Sequence, residues 1–478
     1  MPSCQPVTTS EHEVHKHVRL VLALASSLVL SACANLSVGN LFSHYSAQNN
    51  ELHQTIKNGH YYEAEELLPE GIAGDILDNM EKGRVYLLNQ QYPESKNAFE
   101  VSDNAVRVQQ DQATISVSET AQSLSSLAVN DNLNAYQPAD YELGFLHLYL
   151  GLNYLKKNDL EGAIIEMRRA SQIQEQARKN RERELESAQS QMQAQGVSPN
   201  LGSILANYPD AGKTLQAVQS GYLFYLSALL YEADNDLNSA YVDYRRALAV
   251  MPENQQVVDG TKRVAKRLGM REDLAKLEKR YGKASYLAAD KGRVIVIDER
   301  GVVDAMNGWT QTVPISRGSN FGLYTVSLPY YENMPAEKFS PVVLNDSIIS
   351  GSLLTDVNLM AKQNLTERMP SILIRQALRV WAKEELRRQA TKDNPEDLGN
   401  ALFNVWNVLT EQPDTRSWIT LPGEIYSASS IVEPGEQSLQ VAGQSHTFNI
   451  ESGRTTLVWL SRQGNNATIW HKQLGNIR

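Results

Sequence analysis

The stretch ELGFLHLYLGLNYLKKNDLEGAIIEMRRA, which ends at Ala170, constrains the fold more than any other part of the chain, because its pattern returns. Leu150, Gly151, Tyr154, Ala163, Met167 and Ala170 mix small and large residues at helical spacing. GYLFYLSALLYEADNDLNSAYVDYRRALAVMP repeats the arrangement with Phe224, Ala228, Tyr231, Ala240, Tyr244, Ala247 and Pro252. A weaker copy, KGRVYLLNQQYPESKNAF, carries Gly83, Tyr86 and Phe99. Small residues at Gly151, Ala163 and Ala170 let two antiparallel helices approach closely, while Tyr154 and Met167 fill the space between them. These residues are therefore core positions and not a binding site.

The pattern resembles the tetratricopeptide repeat, which implies helix–turn–helix units stacked into a solenoid. Other positions on the first helix of each unit would line its groove: Phe145, Leu148 and Leu152 in one copy, Tyr222, Tyr225 and Leu229 in the next. An apolar, aromatic groove of this kind suits an extended or helical peptide. A neighbouring helix of the same chain could equally cover it, and the sequence leaves both readings open. The array is interrupted twice. VRVQQDQATISVSETAQSLSSLAVNDNLNAYQPAD reads as a helix and a loop. SQIQEQARKNRERELESAQSQMQAQGVSPN prolongs a second helix into solvent, with Glu175/Lys179 and Arg178/Glu182 at i, i+4 spacing and a stop at Gly196 to Pro199.

After about Lys283 helical periodicity gives way to alternation. GRVIVIDERGVVDAM predicts two strands around a turn, and TVSLPYY, SWITLPGEIYSASSIV, QSLQVAGQSHTFNI and TTLVWLSRQGNNATIWHKQL continue the rhythm, with RGSNFG as a loop before a strand. Residues 356–411 return to helical spacing, with Pro370 opening the longer helix and Ile372, Ile374, Leu378 and Trp381 facing inward. The expected fold is multidomain α + β. An N-terminal tetratricopeptide-like helical solenoid (51–285) precedes a small β-sandwich-like domain, built from 286–355 and 412–478 around the helical insertion.

The N-terminus has a different character. Lys16 and Arg19, with His15 and His17, precede the apolar run Leu20 to Leu30, and Ser31 and Ala32 then lead to Cys33. That order predicts a secretory signal over 1–32, and Leu30-Ser31-Ala32-Cys33 is similar to the bacterial lipobox. The resemblance implies that Cys33 becomes the mature N-terminus and carries a covalent diacylglycerol and an acyl chain, with 33–50 as a leash. Ala34, where an Asp would retain such a protein in the inner membrane, implies an outer-membrane location facing the periplasm. Each buried methylene contributes about 0.8 kcal/mol, so several acyl chains hold firmly. The other cysteine, Cys4, lies in the expected signal, so the mature chain has no disulfide. No apolar run reaches the ~18 residues of a membrane span, and a net charge of −10 disfavours nucleic acid as a partner.

A search for catalytic chemistry yields none of the familiar nucleophile, metalloprotease or phosphate-loop motifs. Glu384 and Glu385 read as solvated, and His147, His446 and His471 lack metal-ligand spacing, so neither catalytic residues, a metal nor another cofactor is expected. In DTRSW, Asp414, Arg416 and Trp418 form either a recognition surface or, in the favoured reading, a turn with an acid–guanidinium pair and an indole in the β-core. Taken together, the lipobox, the repeats with LHLYLGLNYLKKND and the C-terminal DTRSWITLP resemble a family of bacterial outer-membrane lipoproteins with tetratricopeptide-like repeats and a C-terminal β-domain. The resemblance implies a role in envelope assembly near peptidoglycan synthesis. The expected function is a non-enzymatic scaffold that meets envelope proteins through its repeats. The alternatives are a peptidoglycan or polysaccharide hydrolase with an unrecognised site, and an accessory lipoprotein of a secretion or polysaccharide-export system.

Overall fold

A computed structural model describes residues 43–116, 135–195, 198–199, 215–283, 287–317, 320–335, 337–393, 412–475 and 477. The expected signal and Cys33 lie outside these residues. Three short helices, α1 (Tyr45–Gln48), α2 (Asn50–Lys57) and α3 (Tyr61–Glu66), lead into four helix pairs. The pairs are α4 (Asp75–Leu88) with α5 (Tyr92–Ser116), α6 (Asp140–Lys156) with α7 (Leu160–Gln195), α8 (Gly221–Ala233) with α9 (Leu237–Val250), and α10 (Gln255–Arg267) with α11 (Arg271–Tyr281).

One turn closes every pair. Gln90, Asn158 and Asn235 adopt left-handed backbone conformations with φ of 62°, 64° and 65°. The N–H of each following residue donates to the carbonyl of Tyr86, Tyr154 or Tyr231 at 2.8, 3.0 and 2.9 Å, the bond that satisfies an orphan carbonyl at a helix C-terminus. The three copies read from sequence thus share this turn. Gly269, 34 positions after Asn235, repeats the turn with φ 70°, and Met270 N–H donates to Ala265 O at 2.9 Å. Sequence reading missed this fourth pair, because its turn lacks the preceding tyrosine. The small residues act as expected: a Cβ at Gly83 would lie 2.5 Å from the Phe99 ring, and one at Gly151 would strike Met167.

The remaining elements are β1 (Ser198–Pro199), β2 (Gly292–Arg300), β3 (Asn307–Arg317), β4 (Asn320–Tyr330), β5 (Val342–Leu344), β6 (Ser347–Ile349), β7 (Ser352–Asp356), α12 (Val357–Asp393), β8 (Glu424–Val432), β9 (Gly435–Val441), β10 (Gln444–Ile450), β11 (Thr455–Gln463) and β12 (Asn466–Gln473). They form sheets ordered β12-β11-β2-β8-β7, β10-β9-β5-β6 and β1-β3-β4. The pair β2/β11 is parallel, and the other pairings are antiparallel. Alternation along a strand sends successive side chains to opposite faces, and β2 and β11 use both. Val294, Val296, Val458 and Leu460 share a core with Leu439, Val441 and Phe448 of the four-stranded sheet. Ile295, Ile297, Leu457 and Trp459 join the core of the helix pairs. The molecule is therefore mixed α + β, with the five-stranded sheet between a helical layer and a second sheet.

Several expectations change. Helical and β parts share one core, so 51–285 and the β segments are not independent domains, and 44–478 forms one compact unit. The leash ends earlier than residue 50, because α1 and α2 are docked: Ser46 N–H donates to Thr415 Oγ1 and Ser46 Oγ–H to Thr415 O, both at 3.2 Å. Gly59 (φ 81°) lets the α2–α3 turn meet the β11–β12 hairpin backbone to backbone, where a Cβ would lie 2.5 Å from Gln463 O. Pro370 lies inside α12 instead of opening it. The bond to the Thr366 carbonyl is lost, but Met369, Leu373 and Ile374 are buried on either side of the break and the helix continues through it. Ile374 and Leu378 are buried, whereas Ile372 and Trp381 are half-buried. The rest of the expected helical segment, 394–411, lies outside the described residues.

The long α7 does extend the second helix of its pair, yet not wholly into solvent. Ala188 is buried, with Leu185 and Met192 partly so, in a core shared with α12 and β4. Glu175 pairs with Arg246 on α9. The second strand expected in GRVIVIDERGVVDAM is absent among the described residues, since Val303 N–H bonds to Leu421 O outside any sheet.

Candidate functional site

All six expected groove positions, Phe145, Leu148, Leu152, Tyr222, Tyr225 and Leu229, are at most 2% exposed. The groove is filled by the chain itself, and by a sheet instead of the helix that the sequence suggested. Tyr149 O–H donates to Glu299 on β2 at 3.3 Å, and Tyr222 N–H donates to Thr355 Oγ1 on β7 at 2.9 Å. Apolar side chains on the first helices and on the inner face of β2 and β11 gain about 25 cal/mol per Å² by covering each other. No docking surface remains at these positions.

DTRSWITLP is the seam of this closure. Trp418 is fully buried against Phe99 and Tyr149, with ring centroids 5.7 and 5.9 Å away. Its backbone N–H donates to Glu142 Oε1 at 2.8 Å. Glu81 accepts from Ile419 N–H at 2.9 Å, Thr420 N–H at 3.2 Å, Thr420 Oγ1–H at 2.6 Å and Tyr45 O–H at 3.3 Å. Arg84 pairs with Glu299 at 2.8 Å and donates to Thr420 O and Ser461 Oγ. Burial without partners would make each of these groups costly, so together they fix which segment lies across the helices. Sequence reading missed Glu81, Arg84, Glu142 and Glu299. The available signal was their place at buried positions of apolar helices and a strand.

Burial pushes the Glu81 carboxyl up to about 8, outweighing the donors around it. In the unfolded chain a glutamate titrates near ~4.3. Between these values the folded state holds a proton that the unfolded state has released, so this contribution is fully present below the unfolded pKa and is lost as pH rises to about 8. The Glu81→Gln chain is therefore expected to show a flatter stability profile than the parent between pH 5 and 8.5 by urea unfolding. Parallel profiles would refute the assignment. The comparison is between chains because Glu142 and Glu299 are shifted in the same direction by burial, whereas Glu232, Asp103 and Asp236 are held low.

Beside the seam opens a cleft of about 670 Å³. Its walls are the end of α5, the segment entering α6, the middle of α12 and residues 414–417. Asp414 and Arg416 form a bidentate fork, with Nε to Oδ1 and Nη2 to Oδ2 both at 2.8 Å, and Arg416 N–H also donates to Oδ1. The guanidinium carbon lies 5.6 Å from the Tyr136 ring centre. DTRSW thus divides: Trp418 is structural, while Asp414 and Arg416 line the cleft. Gln109 Nε2–H donates to Tyr136 O at 2.9 Å, and Tyr136 O–H donates to Glu142. Burial raises the Tyr136, Tyr141 and Tyr331 phenols, with the Glu142 charge adding to each, so they remain protonated donors. Glu142 also accepts from Ala139 N–H at 2.7 Å, as the N3 partner at the start of α6.

Glu142 and Asp414 are thus both engaged in holding walls of the cleft, and its rim carries amides such as Gln137 and Asn364. Such a lining can orient a ligand with mixed donors and acceptors. Of the other residues singled out, His147 is buried with Nδ1 2.7 Å from Glu166 Oε2, and Glu384 and Glu385 are half-buried on α12. Among the described residues no group of three or more His, Cys, Asp or Glu converges as a metal site, and no helix is long and apolar enough to cross a membrane. Comparison of the chain with protein-family models and with curated proteins gives no match.

Proposed function

We propose that this chain is an outer-membrane lipoprotein, tethered through acyl chains on Cys33 and facing the periplasm, that binds a partner in envelope assembly near peptidoglycan synthesis without acting as an enzyme. Its helix pairs are read as tetratricopeptide-like units, on the turn that recurs in all four, the 34-residue spacing of the last two turns and the small-to-large contacts. The repeats serve as a frame. The contact site is the cleft and not the repeat groove, which the sheet occupies. The observation that carries this reading is the cleft itself. Its volume of about 670 Å³ falls within the ~300–1,000 Å³ of ordinary ligand sites, and tyrosines, amides and the Asp414/Arg416 fork converge on it.

Envelope photo-crosslinking tests the proposal. A photoreactive residue replacing Gln137, exposed on the cleft rim, is expected to yield a discrete protein adduct in cells, whereas one replacing Tyr62, 74% exposed on α3, yields none. Cys33→Ser should abolish the adduct and release the chain from membranes on fractionation. Equal labelling from both positions, or an adduct indifferent to Cys33, would overturn the reading.

A further inference from the structure

A buried guanidinium is costly without an anion beside it. Arg84, Arg263 and Arg462 are at most 5% exposed, and each bonds a carboxylate, of Glu299, Glu232 and Asp298 respectively, at 2.7–2.8 Å. Arg293 departs from this pattern. It is 5% exposed at the start of β2, its Nη1 has no hydrogen-bond partner, and its side chain makes no ion pair among the described residues. Burial and the Arg263 charge push it down to about 10, so it still carries its proton at pH 7.

Alternation along β2 puts Arg293 on the face of Ile295 and Ile297, toward the helices. There it shares a cluster with Tyr225 and Glu232 of α8, Tyr244 of α9, and Asp259 and Arg263 of α10. The acids of this cluster are committed elsewhere. Glu232 accepts from Arg263 through two bonds of 2.8 Å and pairs with Arg267 at 3.1 Å, while Asp259 pairs with Lys262 at 3.2 Å. The buried group nevertheless lies close to solvent. Its partner across the β2/β8 ladder is Ile431, and directly opposed side chains stand about 4.5–5.5 Å apart on one face. Ile431 is 45% exposed, Ser429 on the same face is exposed, and the β7 ladder ends at Ser427. Cover therefore stops beside Arg293, which gives a small solute a way in.

We propose that Arg293 holds an oxyanion, a carboxylate or phosphate group, which enters beside Ile431 and supplies the pairing that the chain itself leaves open. A planar guanidinium offers parallel N–H donors that match two oxygens, whereas a spherical halide cannot use them in the same way. Tyr225 supplies a second donor. Burial holds its phenol protonated, and its O–H makes no hydrogen bond among the described residues. None of these residues lines the cleft, so the site does not depend on the ligand bound there.

The test uses the full chain, because a ligand that binds only the folded state raises the urea midpoint with the logarithm of its concentration. Parent and Arg293→Met are unfolded in matched series of sodium phosphate, sodium acetate and sodium chloride, and the difference between the two chains removes general salt effects. With phosphate or acetate the parent is expected to climb relative to Arg293→Met, by an equal step for each tenfold rise above the dissociation constant. The salt in which the climb starts at lower concentration names the source, a phosphoryl group or a carboxylate. Chloride should produce no climb. At the lowest salt Arg293→Met should be at least as stable as the parent, because removing this cation strands no carboxylate. Arg293→Lys keeps the charge and loses the fork, so its climb should need on the order of tenfold more anion, which keeps the test decisive if the methionine variant folds poorly. Parent and both variants moving in parallel in all three salts would overturn the proposal, as would a climb that starts as early with chloride.

Discussion

Arg84→Met is expected to destabilise the protein by about 3–5 kcal/mol, measured as a fall in the urea midpoint. Arg84 and Glu299 are both completely buried and 2.8 Å apart, between α4 and β2. The guanidinium also donates to Thr420 O and Ser461 Oγ, so it bonds three segments at once. Removing it leaves Glu299 with neutral donors, the Tyr149 hydroxyl, the Trp459 indole N–H and the Ser461 hydroxyl among them, and no cation to offset its charge. Burial already holds the Glu299 carboxyl above its usual range, with Arg84 opposing the shift. Loss of the cation therefore favours a protonated Glu299. Replacing both partners by methionine should recover most of the loss, because a packed apolar pair avoids the desolvation that the ion pair must overcome. A double variant as unstable as the single one would show that the pair is not what joins helices to sheet at this point.

Trp418→Ala should cost a similar amount, about 3–5 kcal/mol, for a different reason. The indole fills the space among Phe99, Tyr149 and the seam, and its Nε1–H donates to Thr420 Oγ1 at 3.1 Å. Truncation leaves a cavity where three elements meet, while Trp418 N–H to Glu142 and the Glu81 bonds still hold the backbone in place. The expected result is a lower midpoint with a native near-ultraviolet spectrum for the remaining aromatic residues. Trp418→Phe should recover part of the stability. An alanine variant within about 1 kcal/mol of the parent would mean that the site collapses freely, and the proposed closure would then rest on the polar seam alone.

These two substitutions mark what separates the α and β halves in sequence from what joins them in space. Helix pairing was legible: Gly83, Gly151, Tyr154, Met167 and Phe99 announce close helix contacts through size and spacing, which are local properties. The strand rhythm after Lys283 was legible for the same reason, since VIVI in β2 and LVWL in β11 are short continuous apolar runs, the mark of strands buried on both faces. Pro370 misled because a proline inside a helix and one at its start look alike until the packing on either side is known.

The destination of apolar faces was not legible. Phe145, Leu148, Tyr222 and Tyr225 have the composition of a groove, and composition does not distinguish a surface awaiting a peptide from one awaiting a sheet far later in the chain. The cleft likewise assembles α5, α6, α12 and residues 414–417, which are remote in sequence. His446 and His471, distant along the chain, hydrogen-bond at 3.0 Å only because two sheets end at one edge.

Sequence alone determined the pairing of helices at three places, the change to short strands after Lys283 and the expectation of a tether at Cys33, because each depends on residues within a few turns of one another. Tertiary structure decided that the helices and sheet form one body, that the groove is closed, and that Glu81, Arg84 and Glu142 hold the seam. The reason is physical: hydrophobic burial has no direction of its own. Only the long-range pairing of buried charges and backbone donors selects which segment covers which face.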